Sequence, residues 1–288
     1  MYPQIAWNRA LRTLAPIAHC EGVATGPDGA LWAGDEAGRL FRIDPGDGSH
    51  EQVADVGGFA VGLCCDGAGV VYVCVYDRRR VVRVDPATGS VDVYCESVEG
   101  GPLVAPNWNL FAPDGTMYVS DSCDENGRYL EEKSGRVVAV PAGGGDATVV
   151  PMPPIGYANG MALGADGALY VAETFLTPRI LALRDGETSV YAELPGTVPD
   201  GLAFDVEGAL FVSNFQPNSI LRIPPGGGEP ERVVDDWTGQ RLLSPTNISF
   251  YGAELSSLAI ASLCGFVLFS LDDTPWRGLP LRYPEVPR

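Results

Sequence analysis

Five side chains with oxygen donors stand at equivalent points of a repeated unit: Glu21, Asn107, Asn159, Asp200 and Asn247. The equivalence comes from aligning the units on a turn glycine eight residues further on (Gly29, Gly69, Gly115, Gly167, Gly208), with about two extra residues in the sixth unit's turn. In the second unit the slot holds Val61. Two carboxylates and up to three amide oxygens, with no His or Cys, describe a hard-cation site. Ca²⁺ suits such a set because it accepts irregular coordination. Mg²⁺ demands stricter octahedral geometry, and Mn²⁺ or Zn²⁺ are substitutes. A second reading stays open, in which the same residues form a polar plug around a water-filled channel. Alone, the Pro-Asp-Gly of Asp200 is a turn signal; in the alignment the turns are "PDG", "ADG" and "VEG" further on.

The units themselves read "EGVATGPDGALWAGDEAGRLFRID" from Glu21, "NGMALGADGALYVAETFLTPRILAL" from Asn159 and "DGLAFDVEGALFVSNFQPNSILRI" from Asp200, with more divergent copies from Val61, Asn107 and Asn247. Their starts lie about 40 to 52 residues apart. Each gives a strand, a glycine turn, a second strand and a third, such as "RLFRID" or "SILRI", and most add a fourth such as "TSVYAEL". Four short strands per repeat of this length predict an all-β six-bladed β-propeller, four antiparallel strands per blade, over one domain, 1–288. "RTLAPIA", within residues 11–18, is placed to supply the outer strand of the last blade. In a propeller the first strand of each blade lines the central channel, so the leading residues converge at one mouth.

The chain resembles the regucalcin/gluconolactonase group of propeller lactonases over nearly its whole length. The resemblance rests on "EGVA" with Glu21, "YANGMALGADGALYVAET" with Asn159, "VPDGLAFDVEGALFVSN" with Asp200 and "SPTNISF" with Asn247. It implies that Glu21, Asn159 and Asp200 bind the metal, that Asn107 contacts substrate or metal-bound water, and that Asp200 is the general base. There are departures. Where the family often has an Arg followed by Asn-Asp-Gly, this chain has Ala105 and then Asn107-Trp108-Asn109. That substitution points away from a sugar lactone and toward a less polar, even aromatic, substrate.

A second shell is expected from the ends of the second strands: Asp35, Asp121, Glu173 and Asn214 return to the same face, though each also reads as a solvated strand end. Asp121, Glu173 and Asn247 are candidate substrate contacts, as are Trp108, Asn109, Phe175 and Phe215, with the three aromatics as an apolar pocket wall. The longest loop on this face, Asp121 to Gly135, is a candidate lid. No GxSxG elbow supports a serine esterase.

Bulk properties narrow the field further. Of the 288 residues 45% are hydrophobic and 19% charged, with 36 Gly and 24 Pro, as many short strands and tight turns require. A net charge of −18 argues against nucleic acid or an anionic membrane as partner. Seven Cys without zinc spacing read as buried free thiols of a reducing cytoplasm, and the amino terminus lacks the pattern of a secretory signal. The expectation is a cytoplasmic, metal-dependent hydrolase of a small lactone or related ester, a monomer or weak homo-oligomer. A non-hydrolytic biosynthetic enzyme (condensation or isomerisation) and a non-catalytic Ca²⁺-pinned binding propeller are the alternatives.

Overall fold

The computed structural model describes residues 10–287. The stretch 1–9, part of the region read for a secretory signal, and residue 288 lie outside the described residues, and with them both limits of the expected domain. The described chain is all-β, with a 3-10 turn at Tyr76–Arg78. Four antiparallel sheets of four strands each begin with Ala60–Cys65, Pro106–Phe111, Ala158–Leu163 and Pro199–Phe204. An eight-stranded sheet is two four-stranded runs joined by one residue pair, Cys20 with Ser262. One run begins with Cys20–Thr25. The other begins with Pro245–Tyr251 and ends on Leu11–Ala15, which lies antiparallel to Leu268–Leu271.

The six first strands pack side by side in chain order, and Pro245–Tyr251 packs against Cys20–Thr25, so they close a ring. Each is followed by a glycine turn; Gly29, Gly69, Gly115, Gly167 and Gly208 have φ between 80° and 87°, a left-handed conformation that L side chains rarely adopt. Second strands such as Leu31–Asp35 and Leu210–Asn214 are buried along their whole length, since sheets cover both faces, and Met117–Asp121 and Ser257–Ser262 are buried except at one residue each. Between sheets lie apolar clusters, among them Tyr170, Phe204, Leu210 and Val212, and Phe211, Ile248, Phe250 and Ile260. The cysteines are free thiols; most are buried as expected, but Cys264 is exposed.

The ends of the channel differ. At one end the first strands begin. At the other lies a cavity of about 500 Å³ lined by Leu63, Leu110, Met161, Leu202, Ile248 and Phe250. The carboxy-terminal segment crosses it. The Leu279 amide donates to the Phe204 carbonyl (2.8 Å), the Tyr283 hydroxyl to the Thr25 carbonyl (2.8 Å), and the Gly67 amide to the Pro284 carbonyl (2.9 Å).

Candidate active site

Every first strand breaks register at its leading residue. The pairing slips between Cys20 and Gly22, Ala60 and Leu63, Pro106 and Trp108, Ala158 and Met161, Pro199 and Leu202, and Pro245 and Ile248. The residues inside these bulges include Glu21, Val61, Asn107, Asn159, Asp200 and Asn247. A bulge leaves a residue unpaired and re-aims its side chain, which is how a strand meant to alternate faces can direct a polar group to the ring axis. The freed backbone is held by serines of the second strands: Ser120 accepts from the Trp108 amide (2.9 Å) and Ser213 from the Gly201 amide (2.8 Å). Hydroxyls then tie one sheet to the next beside the leading residues, Ser122 to the Ala158 carbonyl, Thr174 to the Pro199 carbonyl and Thr246 to the Glu21 carbonyl, all at 2.7 to 2.8 Å.

The glycine after the leading residue has a different task. A Cβ on Gly160 would fall on the Asp200 carbonyl, and one on Gly22 on the Val61 carbonyl. Adjacent first strands approach so closely that no side chain fits between them.

Glu21, Asn107, Asn159, Asp200 and Asn247 are all at least 95% buried. Asn247 Nδ2 donates to Glu21 Oε2 (3.3 Å). Burial, and then the nearby Asp200 charge, raise the Glu21 carboxyl well above its usual range. Burial pushes Asp200 up to about 7, offset in part by the Asn159 side chain. Three buried oxygens here have no hydrogen-bond partner: Asn107 Oδ1, Asn159 Oδ1 and Asp200 Oδ1. Buried acceptors are nearly always satisfied, so three orphans beside two mutually repelling carboxyls make a site that fits a cation. Among the described residues no three His, Cys, Asp or Glu side chains group as a metal site. The set here has only two carboxylates, and its remaining oxygens are amides.

The second-strand carboxylates are spent on structure. Asp121 accepts from the Val104 and Ala105 amides (3.0 and 2.6 Å) and from Arg136 Nε (2.9 Å). Glu173 accepts from the Gly156 amide (3.0 Å) and Arg179 Nε (2.7 Å), and is paired with Lys133. Asp35 is held by Arg39 Nε (2.7 Å). These three are fully buried, neither solvated strand ends nor groups left open to a ligand.

Two further candidates lie away from the mouth. Trp108 packs with Val137, Ile155, Ala158 and Met161 and lines the cavity at the opposite end of the channel. Asn109 lines that cavity too, and its Nδ2 donates to the Tyr72 carbonyl (3.1 Å). Both line that far cavity rather than the mouth, so Trp108 offers no ring to a substrate bound at the leading residues.

Phe175 and Phe215, both half-buried, follow the second strands of their sheets at the rim. Phe175 packs with Tyr129 of the long loop (centroids 5.3 Å, stacked) and with Tyr157 (5.3 Å). Tyr157 is in direct reach of the site: Asn107 Nδ2 donates to its hydroxyl (3.4 Å), which donates to Tyr76 (3.3 Å). Burial, then Tyr76 and Asp200, raise the Tyr157 phenol well above its ordinary value. Tyr76, Tyr129 and Tyr157 were not among the sequence candidates. A signal was available, because two residues before the leading position the rim reads His19, Phe59, Ala105, Tyr157, Val198 and Pro245. His19 is occupied by the Leu263 carbonyl (3.0 Å) and the Phe266 ring.

Comparison with known proteins adds the family. A 6-deoxy-6-sulfogluconolactonase of Pseudomonas putida is 27% identical over 261 residues, spanning 80% of this chain and 78% of the relative. Among solved structures, a gluconolactonase of Xanthomonas campestris superposes with a TM-score of 0.75 at 23% identity, covering 93% of this chain and 89% of that one. A calcium-binding regucalcin of Agrobacterium tumefaciens gives 0.76 at 18% identity, covering 94% and 96%. At such identities the structures speak for the propeller fold alone. The model of the SMP-30/gluconolactonase/LRE-like region matches residues 21–263, from the first site carboxylate to past Asn247, and the chain belongs to that family.

Proposed function

We propose that this chain is one six-bladed propeller that opens a small lactone or related cyclic ester with water, using a divalent cation, Ca²⁺ first, at the mouth of its channel. The observation that carries this reading is the cluster of unpartnered buried oxygens on Asn107, Asn159 and Asp200 beside the mutually repelling Glu21 and Asp200 carboxyls. Two carboxyls that repel each other out of water are costly unless something positive joins them. The family membership and the lactonase name of the 27% identical relative point to the same chemistry.

Glu21, Asn159 and Asp200 would hold the cation, with Asn107 and Asn247 beside them. When bound, it supplies Lewis-acid polarisation of the lactone carbonyl. Asp200, ionised in that state, orients the attacking water and accepts its proton as the oxygen adds to the carbonyl carbon. Collapse breaks the ring C–O bond, and the departing alkoxide oxygen takes the proton back from Asp200. Glu21 is held by Asn247 Nδ2, which keeps its carboxylate turned to the axis. Asn107 is oriented by the Tyr157 hydroxyl, so its free Oδ1 faces the site. The substrate is a small molecule, and the chain's acidity leaves nucleic acid and anionic membrane outside the reading. Among the described residues no helix is long and apolar enough to cross a membrane.

Calorimetric titration of Ca²⁺, Mn²⁺, Mg²⁺ and Zn²⁺ into chelator-treated protein tests the site, and a pH-indicator screen over lactones tests the reaction. Asp200→Ala should cost about 10²- to 10⁴-fold in turnover. No cation binding by the wild type, or full activity in Asp200→Ala, ends the proposal.

A further inference from the structure

We infer that the mouth carries an aryl subsite built by Tyr76, Tyr129, Tyr157 and Phe175, so that the substrate class is a lactone fused to, or bearing, a planar apolar ring. The inference rests on the hydrolytic reading above and gives it a substrate. Tyr129 and Phe175 stack at 29° with centroids 5.3 Å apart, and Tyr157 stands against both, at 5.0 Å and 59° to Tyr129 and 5.3 Å and 65° to Phe175. Tyr76 joins through its hydroxyl contact with Tyr157, and Phe59 packs edge-on to Tyr76 (6.5 Å). All five rings are half-buried, which leaves ring surface at the rim.

This surface is continuous with the reacting end. The Tyr157 hydroxyl accepts from Asn107 Nδ2, the Oδ1 of that 95% buried Asn107 has no partner, and the Asp200 charge acts on the Tyr157 phenol. A ligand whose carbonyl lies at the orphaned oxygens therefore places its substituent toward these rings. Ring faces and edges attract another ring in offset or edge-on contact.

The chemistry of a polyhydroxylated substituent is poorly met here. Ala105 stands at the rim position two residues before Asn107 and offers no hydrogen-bond donor. Among the described residues several cations on this face are engaged: Arg136 with Asp121, Arg179 and Lys133 with Glu173, Arg39 with Asp35, and Arg79 with Glu125. Arg80, whose Nε is buried without a partner, reaches toward Gly57 at the junction of the first and second sheets. What the tyrosine side of the mouth presents is ring surface with three phenolic hydroxyls, two of them, on Tyr76 and Tyr157, hydrogen-bonded to each other.

The test separates binding from turnover. Calorimetry on the cation-loaded protein compares a benzo-fused six-membered lactam with its saturated counterpart, neither of which is readily hydrolysed. The benzo-fused lactam should bind about tenfold tighter, and Tyr129→Ala and Tyr129→Leu should each remove most of that margin while leaving the saturated lactam's affinity within about twofold. Tyr129 lies in the long loop, and melting curves establish that both variants fold. Equal affinity of the two lactams, or a margin unchanged in both variants, overturns the aryl subsite. In parallel, turnover of a benzo-fused lactone and of glucono-1,5-lactone is measured. Hydrolysis of either with no aryl margin in binding sinks the subsite and leaves the hydrolase. An aryl margin lost in Tyr129→Ala, with neither lactone hydrolysed, sustains the subsite and sinks the hydrolase.

Discussion

Two sets of acidic side chains surround the channel mouth, and burial hardly distinguishes them. Asp35, Asp121 and Glu173 are fully shielded, and Glu21 and Asp200 are 95% shielded. Their partners differ completely. Each member of the first set closes its second strand onto the arginine that begins the third: Asp35 with Arg39, Asp121 with Arg136, Glu173 with Arg179. Glu21 and Asp200 have each other and carboxamides. A buried acid with its own cation is part of the frame, and one without is an invitation to an ion from outside. The chain places both kinds side by side, Asp35 lying opposite Cys20, the neighbour of Glu21, and only their partners tell them apart.

Exchanging the damage breaks or upholds this comparison most sharply. Asp121→Ala strands the Val104 and Ala105 amides and Arg136, and should lower stability by about 3 kcal/mol, discounted because Arg136 is one-third exposed. Asp200→Ala should do the reverse, abolishing turnover while the cation-free protein melts no lower than wild type. Should Asp121→Ala lose lactone turnover per folded molecule as deeply as Asp200→Ala, the two sets would not be functionally distinct. Next in size is Gly160→Ala. Its Cβ would fall on the Asp200 carbonyl, so the fourth and fifth first strands must part. We expect a loss of about 2–3 kcal/mol in denaturant unfolding together with weakened cation binding; wild-type affinity in this variant would show that the close approach does not position Asp200.

A smaller effect is read from pH. The folded-state pKa values of Glu21 and Asp200 lie above their unfolded values, so these groups contribute stability that is complete below about pH 4 and is lost as pH rises through the folded value, about 7 for Asp200. In chelator, the melting temperature of Asp200→Asn relative to wild type should therefore climb between pH 5 and pH 8. With saturating Ca²⁺ the carboxylates are held ionised and the wild type should regain the lead at pH 8. A difference flat across this range in chelator would mean that the pair is not strained. Smallest of all, Trp108→Phe should change lactone turnover less than about twofold and cost about 1–2 kcal/mol of stability, as for a core ring away from the mouth.

The repeat made the propeller and the leading residues legible, because turn glycines recur at a fixed offset and force the strands into register. The sequence could not show that each leading residue sits in a bulge; a one-residue slip leaves no compositional trace. Asp121 and Glu173 looked like ligands because strand direction was readable while their arginines' side-chain directions were not. Trp108 misled for a related reason. It directly follows Asn107, and whether neighbouring strand residues share an environment depends on local backbone geometry that spacing does not reveal. Of the aromatic rim, Phe59 and Tyr157 stand two residues ahead of the leading position, whereas Tyr76 and Tyr129 share no such offset, and their meeting with Tyr157 depends on loop and side-chain geometry that spacing does not reveal.

The strand Leu11–Ala15 sits outermost on the sheet begun by Pro245–Tyr251 and pairs with Leu268–Leu271. Its partner follows it in the chain only after all six first strands. Until that partner is in place it is an unclosed edge, able to pair with another chain. Closure joins segments far apart in the chain and so carries a large entropic delay. Refolding should consequently be slow and sensitive to protein concentration, and the ring, once latched, should open slowly.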